Sequence, residues 1–307
     1  MACKKCKEKP VIKLTNSTIT LCKKCFISYF ERKVKKTIRS YKLFKKGDRL
    51  GVALSGGKDS LTTLHILNQL AKQQRTTKLI AISIDEGIKG YRDKTLEFAK
   101  KYCKKSNIEL HIASYKETFG KKLDSIVKKT DRIPCSICGV FRRYLLNLKA
   151  KELKINKLAT GHNLDDEAQT ILMNQFRNNL KVSARLGPIT GLSENKKFIR
   201  RIKPLYFVTE KEVMTYAYLN KLSTDFSECP YSHLNYRSKI RDLINKMEEI
   251  YSGSKHGIVN SFLEILPELK KKYKKEKKGI KECKICGEPT SKEKCQTCIY
   301  AEKIKND

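Results

Sequence analysis

Ser55-Gly56-Gly57-Lys58-Asp59-Ser60 connects a short apolar run to a stretch with helical periodicity, and this hexapeptide decides the fold. The apolar run 49–54 predicts a strand, and residues 59–73 predict the helix that follows it. Glycines allow the backbone to turn sharply and to come close to a ligand. The amides and positive dipole at a helix start attract phosphate, and the lysine and serine side chains of the loop add donors. The hexapeptide therefore predicts a cradle for a phosphate-bearing ligand.

The spacing of the glycines separates this loop from the Walker motif. The pattern G-x-x-x-x-G-K-[ST] is absent, and only two glycines precede Lys58. The loop resembles instead the PP-loop of ATP pyrophosphatases, which bind ATP and adenylate a carbonyl or carboxyl oxygen. An ordinary glycine-rich turn is the alternative, and six contiguous matching residues in a strand-to-helix context argue against it.

Apolar strands alternate with helical stretches after this point. The predicted strands are 50–54, 79–84, 108–113 and 157–160, and the predicted helices are 59–73, 91–105, 119–129, 140–153 and 164–176. Such alternation predicts an α/β fold with a parallel sheet covered by helices on both faces. Ligands bind at the carboxyl ends of such strands. These ends carry the loop, Asp85-Glu86-Gly87 and Gly161-His162-Asn163, which we expect to converge on one crevice.

The charge of the chain indicates a polyanionic partner. Its 307 residues include 67 Lys and Arg against 32 Asp and Glu, a net charge of +35. Phosphates would relieve the self-repulsion, and counterion release would drive association with RNA, although a generally lysine-rich composition is the alternative. Residues 1–46 carry 15 Lys and Arg and two Glu, so a basic helix predicted at 26–46 is a candidate RNA contact. No apolar stretch approaches the ~20 residues that cross a bilayer, and no apolar signal segment is present. We expect a cytoplasmic protein without a membrane association.

Eight of the twelve cysteines form two terminal sets with the spacing of zinc ligands. In a reducing compartment, so many cysteines indicate metal rather than disulfides. Two C-x-x-C knuckles can place four thiolates around zinc and leave no open coordination position. Both sets are therefore predicted to be structural zinc ribbons. The sets are Cys3, Cys6, Cys22 and Cys25, and Cys283, Cys286, Cys295 and Cys298.

Three further cysteines lie in the middle of the chain, Cys135 and Cys138 in a C-x-x-C and Cys229 alone. Three thiolates are too few for a closed zinc site, but they can hold a [4Fe–4S] cluster and leave its fourth iron open to another ligand. From the residues alone, a core thiol pair or a redox C-x-x-C with Cys229 incidental is equally acceptable. The twelfth cysteine, Cys103, shares a helical face with apolar neighbours and is interpreted as a buried, inert thiol.

The order of these motifs resembles the tRNA 2-thiouridine synthetases of the TtuA/NcsA group over essentially the whole chain. The resemblance implies an adenine nucleotide alpha hydrolase-like fold, with a parallel-sheet PP-loop core flanked by two zinc ribbons. It also implies that ATP adenylates the 2-oxygen of a tRNA uridine and that sulfide then displaces AMP. The motifs that carry it, besides the ribbons and the PP-loop, are Asp85-Glu86-Gly87-Ile88, Cys135-Ser136-Ile137-Cys138, the stretch 160–168 and Cys229.

The resemblance also implies cofactors and site residues. The cofactors are ATP, magnesium, a [4Fe–4S] cluster whose open iron binds hydrosulfide, and two zinc ions. Lys58 would stabilise the pyrophosphate leaving group, and Asp59 and Asp166 would hold magnesium. His162 is interpreted as a core histidine. The implied nucleotide contacts are Ala53, Leu54, Ser55, Gly56, Gly57, Lys58, Asp59, Ser60, Ile84, Arg142, Gly161 and Asp166, and the implied catalytic residues are Lys58, Asp59, Cys135, Cys138 and Cys229.

Several alternatives stay open at this point. Cys135 or Cys138 could carry sulfur as a persulfide, with its partner resolving the intermediate. A PP-loop ligase of the lysidine synthetase type would leave the central cysteines unused, and a non-catalytic RNA-binding module would not need an intact loop. We expect thiolation at uridine 34, with position 54 as the alternative. The sulfur donor is either sulfide or a ubiquitin-like protein ending in a thiocarboxylate, and members of the group form homodimers.

The motifs also divide the chain into expected domains. Residues 181–272 are predicted to be largely helical, at 209–222, 234–250 and 257–273. The expected division is an N-terminal zinc ribbon at 1–28, a basic helix and linker at 29–48, a PP-loop domain with the central C-x-x-C at 49–180, a helical part carrying Cys229 at 181–272, and a lysine-rich linker with the second ribbon at 273–307.

Overall fold

A computed structural model of the chain describes residues 2–17, 19–74, 77–128, 134–192, 198–222, 228–232, 236–275 and 281–306. At the front, strands β1 (Ile12–Lys13) and β2 (Thr20–Leu21) form an antiparallel hairpin that leads into helix α1 (Lys23–Ser40). Phe26, Phe30 and Val34 form the buried face of α1, and the spacing of four residues keeps them on one side of the helix.

The core of the chain is a parallel sheet with helices on both faces. Its strands are β3 (Arg49–Ala53), β4 (Lys78–Asp85), β5 (Glu109–Ser114), β6 (Lys157–Ala159) and β7 (Arg200–Ile202). They pair in the order β5-β4-β3-β6-β7. The chain therefore adds strands to one side of β3 and then returns to add strands on the other side. Ligands bind at such a reversal of strand order, outside the carboxyl ends of the strands.

Helices of very different length connect and follow these strands. The bounds are α2 (Lys58–Gln74), α3 (Arg92–Ser106), α4 (Tyr115–Phe119), α5 (Leu123–Val127), α6 (Pro134–Glu152), α7 (Leu164–Phe176), α8 (Leu180–Ser183), α9 (Glu210–Leu219), α10 (Tyr236–Ile250) and α11 (Ser254–Lys275). The last part consists of a hairpin of β8 (Lys281–Glu282) and β9 (Pro289–Thr290), followed by α12 (Gln296–Asn306). No helix within the described ranges combines the length and the apolar character that crossing a bilayer requires.

Each face of the sheet has its own apolar core. Ile80, Ile82 and Ile84 of β4 enter one core together with Phe141 of α6, whereas Ala81 enters the other core beside α2, α3 and α9. Successive side chains of a strand point to opposite faces, so a strand that is buried on both faces is apolar at every position. A third core joins α7 to α10 and α11.

The two terminal segments pack against different faces of this sheet. Phe30 of α1 stacks on Tyr216 of α9, with the ring centroids 4.1 Å apart. At the other end, Tyr300 of α12 meets Phe141 of α6 edge-on. Glu288 of the second hairpin pairs with Lys151 of α6 at 2.6 Å. The N-terminal segment therefore lies on the side of α9, and the C-terminal segment on the side of α6.

The α/β class and the parallel sheet predicted from the alternating pattern are confirmed. The predicted helix at 119–129 is wrong in detail, because Gly120 ends α4 with a φ of +74° and a second helix begins at Leu123; residue 129 lies outside the described part. Helix α6 begins at Pro134 rather than at residue 140, since proline suits the first turn of a helix. Cys135 and Cys138 consequently lie in the first two turns of this helix.

Strand β7 is the main element that the sequence pattern misses. Its three residues include two arginines, so neither its length nor its hydrophobicity identifies a strand. It pairs with β6, which means that the sheet continues past residue 180, where the predicted PP-loop domain ends. Helices α9, α10 and α11 fall in the region that was predicted to be helical. The predicted helix start at residue 234 and the end of the lysine-rich run lie outside the described residues.

The shape of the loop between β3 and α2 depends on Gly56. Its φ is +86°, and a Cβ atom there would stand 1.9 Å from the carbonyl oxygen of Thr95. A Cβ on Gly57 would meet only the Ser55 hydroxyl, at 3.6 Å. We expect Gly56→Ala to lower the free energy of unfolding by roughly 2 kcal/mol or more, and Gly57→Ala to lower it far less. Urea unfolding without nucleotide measures both variants, and equal losses would contradict this account.

Candidate functional site

The PP-loop, residues 55–60, is held in shape by its last residue. Ser60 is buried, and its hydroxyl accepts hydrogen bonds from the amides of Ser55 and Gly56 at 3.1 and 3.2 Å. The same hydroxyl donates to the carbonyl oxygen of Gly57 at 3.0 Å. Ser60 therefore shapes the loop, and its contact with a phosphate stays a prediction.

Other predicted nucleotide contacts lie at the ends of β3 and β4. Leu54 is buried, and its amide donates to the carbonyl oxygen of Ile82 at 2.8 Å. Ile84 is buried in the core beneath the sheet, while Ala53 is half-buried. Leu54 and Ile84 can therefore reach a nucleotide only through backbone atoms.

The segment after β6 lies directly against the start of α2. A Cβ atom on Gly161 would stand 2.8 Å from the backbone carbon of Asp59, so only glycine permits this approach. Asn163 caps α7 by accepting a hydrogen bond from the amide of Asp166, and its own side-chain amide donates to Asp59 Oδ1 at 3.0 Å. These contacts confirm that the ends of β3 and β6 meet at one crevice.

Carboxylates surround the lysine of the loop at a cavity of about 140 Å³. Lys58 Nζ lies 3.1 Å from Asp59 Oδ2 and 2.9 Å from Glu210 Oε1. Burial alone would lower the pKa of Lys58, but the charges of Asp59 and Glu210 outweigh this effect and raise the pKa. Burial, followed by the charge of Asp59, raises the pKa of Asp166 to about 7. A divalent cation would relieve this repulsion, so Asp59 and Asp166 suit a magnesium ion.

His162 faces solvent, so its interpretation as a core histidine is wrong. Its Nδ1 atom lies 2.9 Å from the hydroxyl of Thr160. Its pKa is lowered, first by the protein packed around the ring and then because Lys203, Arg237 and other cations repel its charged form. His162 is therefore a neutral group beside the crevice at physiological pH.

A buried carboxylate joins the PP-loop to the central cysteines. Glu86 follows β4 directly and is 5% exposed. Its Oε2 atom lies 2.9 Å from Arg92 Nε, and its Oε1 atom lies 2.8 Å from Arg142 Nε. Arg92 donates to the carbonyl oxygen of Ser55, and Arg142 Nη2 lies 3.2 Å from the sulfur of Cys138. The end of β4 thus completes the crevice that was predicted from three strand ends.

The central cysteines come from two segments of the chain. Cys135 and Cys138 lie in the first two turns of α6, and burial raises the pKa of the Cys138 thiol although the charge of Arg142 opposes that effect. Cys229 packs against the same core, and Tyr231 brings its segment to α6, since the carbonyl oxygen of Tyr231 lies 3.5 Å from Cys135 Sγ. The three sulfurs do not all lie within 4.8 Å of one another. They therefore lack the close spacing that the thiolates of one tetrahedral zinc ion require.

In each terminal set of cysteines, by contrast, the four sulfurs lie close together. Cys6 Sγ lies 3.4 Å from Cys22 Sγ and 3.6 Å from Cys25 Sγ, and in the second set Cys286 Sγ lies 3.7 Å from Cys295 Sγ. In each set the four sulfurs lie within 4.8 Å of one another. A tetrahedral zinc with bonds of about 2.3 Å separates its sulfurs by about 3.8 Å. Both sets therefore fit a single four-coordinate zinc ion.

Four charged residues at this crevice are not among the site residues predicted from the sequence. They are Glu86, Arg92, Glu210 and Arg237. Glu86 belongs to the predicted strand-end motif Asp85-Glu86-Gly87. A charged residue directly after an apolar strand is therefore the sequence signal that could identify it as a site residue. Glu210 lies 152 positions from Lys58, and no local pattern connects the two residues.

Comparisons with known proteins agree over almost the whole chain. A model of the PP-loop domain matches residues 27–247, and a model of the N-terminal LIM domain of the 2-thiouridine synthetase TtuA matches residues 3–27. The chain is 41% identical to a tRNA-5-methyluridine(54) 2-sulfurtransferase from Pyrococcus horikoshii, covering 98% of this chain and 93% of that protein. It is 36% identical to the tRNA 2-thiolation protein NcsA from Haloferax volcanii, covering 99% of each.

A solved structure of a tRNA thiolase also matches the chain over almost its whole length. The fold matches the U34-tRNA thiolase NcsA from Methanococcus maripaludis, a structure that contains its [4Fe-4S] cluster, with a TM-score of 0.84 and 39% sequence identity. The match covers 99% of this chain and 96% of that one. Taken with the loop, the two cysteine spacings and the family models, these matches show that the chain belongs to the PP-loop family of tRNA 2-thiouridine synthetases, the TtuA/NcsA group.

Proposed function

We propose that this protein replaces the 2-oxygen of a tRNA uridine with sulfur at the expense of ATP. The observation that carries the proposal is the position of the central cysteines beside the PP-loop. Glu86 pairs with the arginine that contacts the loop and also with the arginine that contacts Cys138. A site that both activates an oxygen and supplies sulfur needs these two parts together.

The PP-loop would carry out the activation. The uridine O2 attacks the α-phosphorus of ATP, and the bond to the β-phosphate breaks to release pyrophosphate. Lys58 and the amides at the start of α2 stabilise the negative charge of this leaving group. Asp59 and Asp166 would hold magnesium, whose charge would offset the burial and the Asp59 charge that together raise the pKa of Asp166. A sulfur nucleophile then forms a bond to C2, and AMP leaves with the original oxygen.

The central cysteines would hold the iron–sulfur cofactor. When bound, a [4Fe–4S] cluster supplies an iron with an open position at which sulfur can be presented. Cys135 and Cys138 would hold it from the first two turns of α6, and Cys229 would hold it from the segment that precedes α10. The rival proposal, a persulfide on Cys135 or Cys138, has no need of Cys229.

The tRNA would approach over the basic surface of the chain. Arg32, Lys36 and Arg39 are exposed along one side of α1, at the helical spacing of four and three residues. We propose uridine 34 as the target, supported by the match with a U34-tRNA thiolase; the Pyrococcus relative, which is named for position 54, makes that position the alternative. Sulfide or a protein thiocarboxylate would supply the sulfur.

The requirement for a third thiolate distinguishes the cluster from the persulfide. We expect Cys229→Ala to reduce both cluster iron and tRNA thiolation to background, because two thiolates cannot hold the cluster. Cys103→Ala is the control, since Cys103 is buried in α3 away from the site. Iron analysis, visible absorption and thiolated nucleoside content, all measured without oxygen, check the prediction. Full thiolation by iron-free Cys229→Ala protein would reject the cluster.

Substitution in the tRNA tests the choice of uridine. We expect a transcript with cytidine in place of uridine 34 to gain no sulfur, while a transcript changed at position 54 is thiolated normally. Mass spectrometry of nuclease fragments locates the sulfur, and pyrophosphate release reports the activation step. The reverse pattern would assign the enzyme to position 54, and a product with an amine in place of sulfur would indicate a ligase.

Metal content tests the assignment of the terminal sets. We expect two zinc ions per wild-type chain and one in Cys6→Ser, because three thiolates hold zinc much less tightly than four. The loss should lower the melting temperature, since α1 packs on α9 through Phe30 and Tyr216. Elemental analysis and thermal unfolding measure both effects. Two tightly held zinc ions in Cys6→Ser would rule out this ligand set.

A further inference from the structure

We propose that Glu86 is a positioning residue that holds Arg142 at the Cys138 sulfur and, through Arg92, fixes the PP-loop to the same point. The proposal rests on the proposed function, because it assumes that Cys138 is a ligand of the cluster. It assigns a role to Glu86 of the Asp85-Glu86-Gly87 motif, a residue that the activation and sulfur-transfer steps do not use.

The backbone at Glu86 is fixed on both sides. Its carbonyl oxygen accepts a hydrogen bond from the amide of Leu123 at 2.8 Å. The amide of Gly87 donates to Asp85 Oδ1 at 2.9 Å, and Gly87 adopts a φ of +72°. The carboxylate therefore projects from a rigid point at the end of β4.

The two arginines that flank this carboxylate differ in freedom. Arg92 is buried, and besides Glu86 it contacts the Ser55 carbonyl and the Thr95 hydroxyl, the latter at 3.1 Å. Arg142 keeps 47% of its side chain exposed, and Arg143 follows it with the same charge. If the carboxylate were neutral, Arg142 would be the arginine that moves into solvent, because Arg92 has no room to leave.

The contact that Arg142 would lose is chemically important. Its Nη2 atom lies 3.2 Å from Cys138 Sγ, and Tyr115 donates to the carbonyl oxygen of the same cysteine at 2.8 Å. Hydrogen bonds to ligating sulfurs, together with nearby charge, set the reduction potential of iron–sulfur clusters. A guanidinium stabilises the more negative, reduced form, so its departure makes the potential more negative.

A double-mutant cycle on the reconstituted protein tests this role. We expect Glu86→Gln to shift the midpoint potential to more negative values and to alter the electron paramagnetic resonance spectrum of the reduced cluster. Arg142→Gln should produce the same shift, and the double variant should show no further shift, because both changes remove one contact. An unchanged or less negative potential in Glu86→Gln, or additive shifts in the double variant, would overturn the proposal.

Glu212→Gln serves as the matched control. Glu212 is equally buried and pairs with Lys33 at 2.9 Å, but it lies on α9 away from the cysteines. It should lose stability without any change in potential, whereas a purely structural role for Glu86 would make the two variants alike. Wild-type protein that takes up no cluster would defeat the proposed function. If the wild-type protein binds a cluster but Glu86→Gln has the same midpoint potential, only this inference is defeated.

Nucleotide binding to cluster-free protein provides a second, independent measurement. We expect Glu86→Gln to weaken the binding of a non-hydrolysable ATP analogue roughly tenfold, because Arg92, which stays buried, loses the carboxylate that orients its guanidinium toward the Ser55 carbonyl. Calorimetry with Glu212→Gln as the control measures this effect even if the variant cannot retain iron. Unchanged affinity in Glu86→Gln would overturn the link to the PP-loop.

Discussion

The reversal of strand order between β3 and β6 is the constraint on which the rest of the structure depends. It opens a crevice at the carboxyl ends of the central strands, and the loops that follow β3, β4 and β6 all end there. Two of these loops can approach each other only because Gly161 leaves space against the backbone of Asp59. The chemistry of the family is therefore concentrated in a few short segments, and the helices serve to hold them in place.

Much of this arrangement follows from the sequence because the signals are local. The PP-loop lies between a strand and a helix, and the alternation of apolar runs specifies the parallel sheet around it. Strand β7 escapes such reasoning, since its pairing with β6 depends on tertiary contacts rather than on its arginine-rich sequence. The pair between Lys58 and Glu210 escapes it for the same reason. The exposure of His162 also escapes such reasoning, since it depends on how the segment after β6 lies in the fold and not on its immediate neighbours Gly161 and Asn163.

The cysteines illustrate how one residue type serves two kinds of site. At the chain ends, paired knuckles fold back on themselves and bring four sulfurs within 4.8 Å. In the centre, two sulfurs lie on the first two turns of α6 and a third comes from a separate segment, and the three do not all lie within 4.8 Å of one another. Spacing in the sequence identifies the closed sites directly. The open site requires the fold, because nothing local connects residue 229 with residues 135 and 138.

Helix α6 also has a consequence for the biogenesis of the protein. Its first two turns carry two of the central cysteines, while further along Asn147 and Lys151 both contact Glu288 of the C-terminal ribbon. One rigid rod thus connects a site suited to iron and sulfide with a site suited to zinc. A ribbon that lost its fold would therefore loosen the helix that supports the central cysteines.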